Sequence, residues 1–288
     1  RIGCPREGPE QLECLRGVEA SKLIRPPPNI TVASPIAVGS DFAFAVGPVV
    51  DGAAHGLVDT PLALIRAGRF HRVPLIVGAC KDGGTLFELA VTDIVPGLAP
   101  PIVRGESDVD LALDWTFSPE QAATIKALYP KSEFNVSTSF HGPAAVDYRA
   151  MFSRMIRDVA FGCSNRAVAE AWDAHGVPVW LYTFSFPLGL LVQLLAPGYG
   201  DLHGADLFFV FRKFLWALGL PFSIGSAYEM SDVLACKWAT FAHAGAPQAP
   251  EGLPGAPNCE TVQQKYVSWP QFQRSAARLF YSLQMPPK

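Results

Sequence analysis

The stretch "DYRAMFSRMIRDVAFGCSNRAVAEAWDAHG" runs from Asp147 to Gly176 and leads straight into "VPVWLYTFSF", Val177 to Phe186. The first part places apolar residues at helical spacing and closes on a glycine, the residue that most often ends a helix in the left-handed conformation. The second is a compact β-branched and aromatic run, of the kind that fills the middle of a sheet. A helix feeding directly into a buried strand is the unit of a sheet built with crossover connections. The pattern predicts a helix over 147–176 and a strand over 177–186.

Working outward, "VPLIVGA" (Val73 to Ala79) is a second strand of the same apolar type. "SDVLACKWATFAHAG" (Ser231 to Gly245) reads as a helix with Ser231 as N-cap and Gly245 as its stop. "ARLFYSLQ" (Ala277 to Gln284) reads as a last short strand. "RPPPN" (Arg25 to Asn29) is a short extended segment, and "HAGAPQAPEGLPGAPNCE" (His243 to Glu260) an irregular surface loop. There is no internal repeat. Strands alternating with helices predict an α/β class, a sheet joined by crossover helices.

Composition narrows the function classes. The chain has 288 residues, 49% of them hydrophobic, enough for one large domain or two ordinary ones. Net charge is −3 and the 23 basic residues are scattered rather than clustered with aromatics, so no nucleic-acid partner is expected. The apolar run "DLFFVFRKFLWALGLPF" is broken by Arg212 and Lys213, whereas a membrane span needs about 20 apolar residues in a row. The first residue is Arg1 and no charged-then-apolar leader follows, which makes a piece of a longer or processed protein the expectation. Six cysteines are too few for a disulfide-built miniprotein. Cys4 and Cys14 are close enough for a short loop, and no metal-ligand spacing stands beside them. The sequons at Asn29 and Asn135 are compatible with secretion and a glycoprotein.

"YGDLHGADLFFVF" (Tyr199 to Phe211) sets His203 against a glycine just before an apolar run. Taken with "GPVVDG" (Gly47 to Gly52), "DTPLALIRAGRFHRVPLIVGACKDGGTLF" (Asp59 to Phe87), "VPVWLYTFSF", "WATFAHAGAPQ" and "SWPQF", it forms an ordered set. In that order the segments resemble the carboxylesterase type B family, the cholinesterase-like branch of the α/β-hydrolases. The resemblance implies the C-terminal part of a single α/β-hydrolase domain over 1–288, with a mixed sheet and crossover helices. Residues 1–35 would be a connecting segment with a cysteine loop, 36–288 the sheet with its acid and histidine loops, and the N-terminal strands would be missing. "CLRG" at Cys14, with Cys4 before it, resembles the small disulfide loop of family members. The resemblance implies that this pair is bridged and that the protein is secreted or extracellular. Cys163 is either bridged to Cys259 or a buried thiol, and Cys80 and Cys236 read as small apolar core residues.

Family members split carboxylic esters with a serine nucleophile, a histidine base and an acid that orients the imidazole, in the chain order Ser, acid, His. The resemblance gives His203 the histidine's place. It also exposes two departures. The acid stands on the glutamate of a "KDEG" stretch, and here "CKDGGTLF" has Gly83 in that place. Asp82 is one residue away and Glu88 five, the first pointing to the other side of an extended segment and the second read as a solvated helix charge. The second departure is the nucleophile, since no G-x-S-x-G occurs. The nearest match, "GESDV", makes Ser107 an ordinary serine of a polar loop.

The remaining candidates have plain structural readings. "KDGGT" is not a phosphate loop. Asp206 suits the first turn of an apolar helix, with a polar contact near the site as the lesser option. His55, His71, His141, His175 and His243 read as surface or turn residues. The expectation is therefore a piece of a serine esterase that carries the histidine but not the nucleophile. It would be inactive alone and need no cofactor or metal; its partners would be a small-molecule ester substrate and the missing N-terminal half. The competing expectation is a non-catalytic, cholinesterase-like binding or adhesion protein, free to lose its acid at position 83.

Overall fold

A computed structural model of the chain describes residues 3–5, 8–19, 22, 49–52, 56–85, 103, 105–136, 145–186, 200–212, 225–248, 259, 265, 268–275 and 281–283. Two compact units are distinguished, 1–47 and 48–288. In the first, helix α1 (Pro9–Gly17) carries Cys14, which is bridged to Cys4, as the cysteine-loop resemblance implied.

In the second unit, α2 (Pro61–Arg66) precedes strand β1 (Leu75–Cys80). Helices α3 (Glu106–Thr116) and α4 (Pro119–Leu128) follow, then a short antiparallel ribbon of β2 (Asn135–Val136) and β3 (Ala145–Val146). Ser107 therefore sits in the first turn of a helix, not in a polar loop. The reason is the cap, in which the Asp108 carboxylate reaches back to accept the Gly105 N–H at 3.1 Å.

The predicted 147–176 helix forms as two helices joined by a π turn. The Asp147 carboxylate accepts the Ala150 N–H at 2.9 Å and starts α5 (Tyr148–Arg157), whose Met151, Phe152, Met155 and Ile156 are buried. The widened turn Asp158–Gly162 closes with the Cys163 N–H donating to the Asp158 carbonyl, and α6 (Cys163–Ala174) continues from it. Gly176, at φ +69°, lets the chain reverse into β4 (Val179–Phe184).

β1 pairs with β4 in parallel from Leu75↔Val179 to Cys80↔Phe184, and β4 pairs with β5 (Tyr281–Leu283), also in parallel. Of the sheet expected, the described residues form a parallel part. The sheet is parallel in the order β1-β4-β5, and the antiparallel pair stands apart. Side chains alternate between two covered faces. Leu75, Val77, Val179 and Leu181 pack with Ala169 and Trp172 of α6. Ile76, Trp180, Tyr182 and Phe184 pack with α7 (Ala205–Val210) and α8 (Gly225–Ala244). β1 has a strand on one side only among the described residues. On its other side the Asn165 amide donates to the Gly78 carbonyl at 2.6 Å and Arg157 to that of Cys80 at 3.5 Å, so side chains meet these edge acceptors.

Two sequence expectations fail on this face. Helix α8 begins at Gly225, so Ser231 is an interior residue. Its buried hydroxyl donates 2.7 Å to the Phe209 carbonyl and fastens α8 to α7 instead of capping anything. Gly245, at φ +73°, does end the helix. Cys259 pairs with Cys236, not Cys163. Cys236 and Cys259 belong to the α7–α8 side of the sheet, whereas Cys163 opens α6 on the other side and is an exposed free thiol. Cys80 is the buried apolar thiol expected of it.

Lys237, also on α8, is 1% exposed, with its ammonium 5.2 Å from the Tyr281 ring centroid. Burial lowers it from 10.5 to about 8. The folded state therefore releases this proton more readily than the unfolded chain, and stability rises with pH between about 8 and 10.5. Lys237→Met keeps the aliphatic stem, so urea unfolding at pH 7 should show a gain of up to about 3 kcal/mol. The gain should shrink towards zero as pH approaches 10.5. A pH-independent difference would contradict this account.

Candidate active site

Because β1 and β4 run in parallel and end in register, the chain segments that leave them emerge at the same edge of the sheet. After Cys80 the backbone tightens into a turn over Lys81 to Gly84. The Lys81 N–H extends the ladder to the Phe184 carbonyl at 2.8 Å, and the Gly83 N–H donates back to Cys80 at 3.2 Å. The two glycines differ. A Cβ on Gly84 would overlap the Ser153 carbonyl of α5, so that glycine is required by close approach. A Cβ on Gly83 would meet Cys80 O at 3.3 Å, Phe161 Cδ2 at 3.7 Å and Arg157 Cγ at 3.8 Å. Packing does not impose glycine at 83, although the Cys80 carbonyl would have to yield slightly.

His203 stands on a second turn, beyond β4, where the Ala205 N–H donates to Leu202 O at 3.0 Å and Gly204 takes φ +81°. Its ring is exposed and stacks on Phe161, with centroids 4.4 Å apart and planes at 16°. Phe161 belongs to the π turn, an irregularity that occurs often at functional sites. The same aromatic ring thus touches the imidazole and lies next to position 83. Sequence reasoning missed it, because nothing local ties Phe161 to a histidine on another element.

Below His203, Asp206 opens α7. Its Oδ2 accepts the Tyr182 hydroxyl at 2.7 Å, and its Oδ1 accepts the Leu207 N–H at 3.1 Å and faces the Cys80 thiol at 3.6 Å. The first-turn position agrees with the dipole reading, and the polar contact near the site is present as well. Burial and the Asp206 charge push the Cys80 thiol up to about 12, which makes it a poor nucleophile at neutral pH. The same two causes raise the Tyr182 hydroxyl, which stays a donor. Asp201, 4% exposed, is pushed up to about 6 by burial and by the Asp82 charge, against the pull of Lys81 and a Ser185 hydrogen bond. Asp82 directs its Oδ2 at the Asp201 N–H, 3.2 Å away.

The other sequence candidates stand elsewhere. Ser107 is on α3. His71 and His243 are exposed, and His175 ends α6 with Nε2 3.1 Å from the Arg66 carbonyl. His55, His141, Asn29 and Glu88 lie outside the described residues. No group of three or more metal-ligating side chains occurs among the described residues, and no helix there is long and apolar enough to cross a membrane. A cavity of about 500 Å³ lies on the α5–α6 side of the sheet, lined by Arg154, Arg157, Arg166 and Cys163 but not by His203. Each of these arginines is ion-paired, to Glu133, Asp158 and Glu170 in turn.

A model of the carboxylesterase family matches residues 1–288. The chain is 28% identical over 214 residues to a secreted lipase of Arthroderma benhamiae, covering 70% of this chain and 33% of that protein. It is 25% identical over 240 residues to the para-nitrobenzyl esterase of Bacillus subtilis, covering 82% and 42%. It is 26% identical over 215 residues to a secreted triacylglycerol lipase of Gibberella zeae, covering 72% and 33%. Among solved structures, a PNB esterase superposes with a TM-score of 0.63 at 22% identity, over 96% of this chain and 47% of that one. A thermophilic PNB esterase superposes with a TM-score of 0.53 at 21% identity, over 82% and 40%. These likenesses give the α/β-hydrolase fold, and the chain spans less than half the length of the relatives it matches.

The Tyr182 to Asp206 bond ties β4 to the helix that follows His203. Tyr182→Phe should destabilise the chain by about 1.5–3 kcal/mol, the usual worth of a hydrogen bond to a charged group. Urea denaturation should record this as a lower midpoint at unchanged slope. An unshifted midpoint would show that water replaces the hydroxyl at no cost.

Proposed function

The chain belongs to the carboxylesterase family, and from that premise we propose that it is the histidine-bearing part of a serine carboxylic-ester hydrolase. The observation that carries the reading is His203, exposed on a glycine-shaped turn at the sheet edge where the segment after β1 also emerges. There the imidazole takes the proton of an attacking serine hydroxyl and returns it to the departing alcohol, leaving an acyl-enzyme that water then opens by the same relay. The nucleophile and the donors for the tetrahedral oxyanion are assigned to a part of the protein outside residues 1–288, since these residues contain no G-x-S-x-G. Without them the imidazole has no hydroxyl to activate, so the 288-residue chain is inactive alone. Two disulfides, together with relatives named as secreted, support an extracellular setting.

A second reading, a non-catalytic binding protein on the same fold, is favoured by one specific feature. Position 83 lacks the carboxylate, and an apolar ring, Phe161, packs on His203 beside it. In the serine-protease triad, neutralising the acid that orients the imidazole lowers turnover about 10⁴-fold.

The test compares hydrolysis of a short-chain nitrophenyl ester. The 288-residue chain should match its His203→Ala variant. A longer form that includes a serine elbow should be a slow esterase that loses its remaining activity in His203→Ala. In that longer form Gly83→Glu should raise turnover by about 10²-fold or more if the restored carboxylate reaches the imidazole past Phe161. No hydrolysis in either form of the longer protein would favour the binding reading. Rapid hydrolysis by the 288-residue chain itself would overturn the assignment.

A further inference from the structure

Asp82 stands beside the vacant acid position, yet its carboxylate engages the histidine turn's backbone. Its Oδ2 accepts the Asp201 N–H at 3.2 Å across 119 positions of sequence. The preceding residue, Gly200, holds φ +53°, and a Cβ built on it would fall on that same carboxylate. Gly200 therefore meets two demands at once, a left-handed backbone and room for the side chain of another loop. Asp82 is itself held, because its carbonyl accepts the Thr85 N–H at 3.0 Å and the Thr85 hydroxyl at 2.7 Å. The next residues after Asp201 are Leu202 and His203, so the bond fixes the backbone at the entrance of the histidine turn.

The geometry points to Asp82 as a positioning residue, a latch between the turn after β1 and the turn that carries His203, with Gly200 as the gap that admits it. The carboxylate lost at Gly83 and the one retained at Asp82 would then have separate tasks: the first would orient an imidazole, while the second holds the backbone from which the imidazole projects. The positioning role rests on the reading of His203 as the base. The latch itself does not, and no substrate is needed to test it.

The experiment uses the 288-residue chain, isotopically labelled, and reads Asp201 amide exchange and the His203 ring resonances by NMR. Asp82→Ala removes the acceptor and should speed Asp201 exchange at least tenfold and shift the His203 ring signals. Asp82→Asn keeps an acceptor oxygen and should stay within about threefold of wild type, whereas Asp82→Leu, which fills the space without an acceptor, should behave like Asp82→Ala. Gly200→Ala should also speed Asp201 exchange, because its methyl would fall on the Asp82 carboxylate and a side chain strains the backbone at φ +53°. If Asp82→Ala does not fold, Asp82→Ser takes its place with the same readouts, since its hydroxyl is too short to reach. Unchanged exchange in the truncated variant, or equal effects of Asn and Ala, would overturn the latch. Faster exchange with unmoved His203 signals would overturn the positioning role, whatever the activity of the longer protein.

Discussion

Everything that makes a site here follows from the parallel pairing of β1 with β4. Parallel register from Leu75↔Val179 to Cys80↔Phe184 brings two chain segments that are far apart in sequence to the same sheet edge. One carries Asp82 and Gly83, the other Asp201 and His203. A one-residue slip would turn Val179 and Leu181 from the α6 face to the α7–α8 face and disrupt both cores, so the register is fixed by burial. The site inherits its alignment from that constraint.

Polar contacts refine what the sheet sets. Tyr182 projects from β4 on the α7–α8 side and holds Asp206 at the start of α7, while Ser231 of α8 holds the Phe209 carbonyl near its end. Phe209 packs on Phe184, and Trp269 stacks on Tyr281 of β5, so the short helix after His203 rests on a wall of aromatic rings. On the other face Asn165 and Arg157 reach the β1 carbonyls, and the π turn between their helices carries Phe161 to the histidine. The ring that touches His203 is thus supplied by the helical layer. This is why an apolar ring stands against both position 83 and the imidazole.

Much of the framework was legible in the sequence because its signals are local. The run Val179 to Phe184 is apolar on both faces, as a strand covered by helices must be, and Gly176 and Gly245 stand where left-handed conformations end helices. The family was recognisable from the order of its segments. What escaped depended on distant partners. Ser231 has the local look of an N-cap, but its hydroxyl is claimed by Phe209, and the helix runs on upstream. Cysteine pairing required knowing which face of the sheet each residue occupies, and Cys163 proved to be on the wrong one for Cys259. The π turn shifts the helical phase by one residue, which apolar periodicity alone does not register. The Asp82 to Asp201 contact joins two backbone turns and has no sequence signature beyond Gly200.

The central claim is that the turn after β1 and the histidine turn form one site with Phe161 against both. Nuclear Overhauser contacts in the folded 288-residue chain measure this most directly. The account predicts contacts from the Phe161 ring to the His203 imidazole, whose centroid is 4.4 Å away, and to the Gly83 α-protons. A folded chain that shows the β1–β4 cross-strand contacts but none from Phe161 to either residue would contradict it.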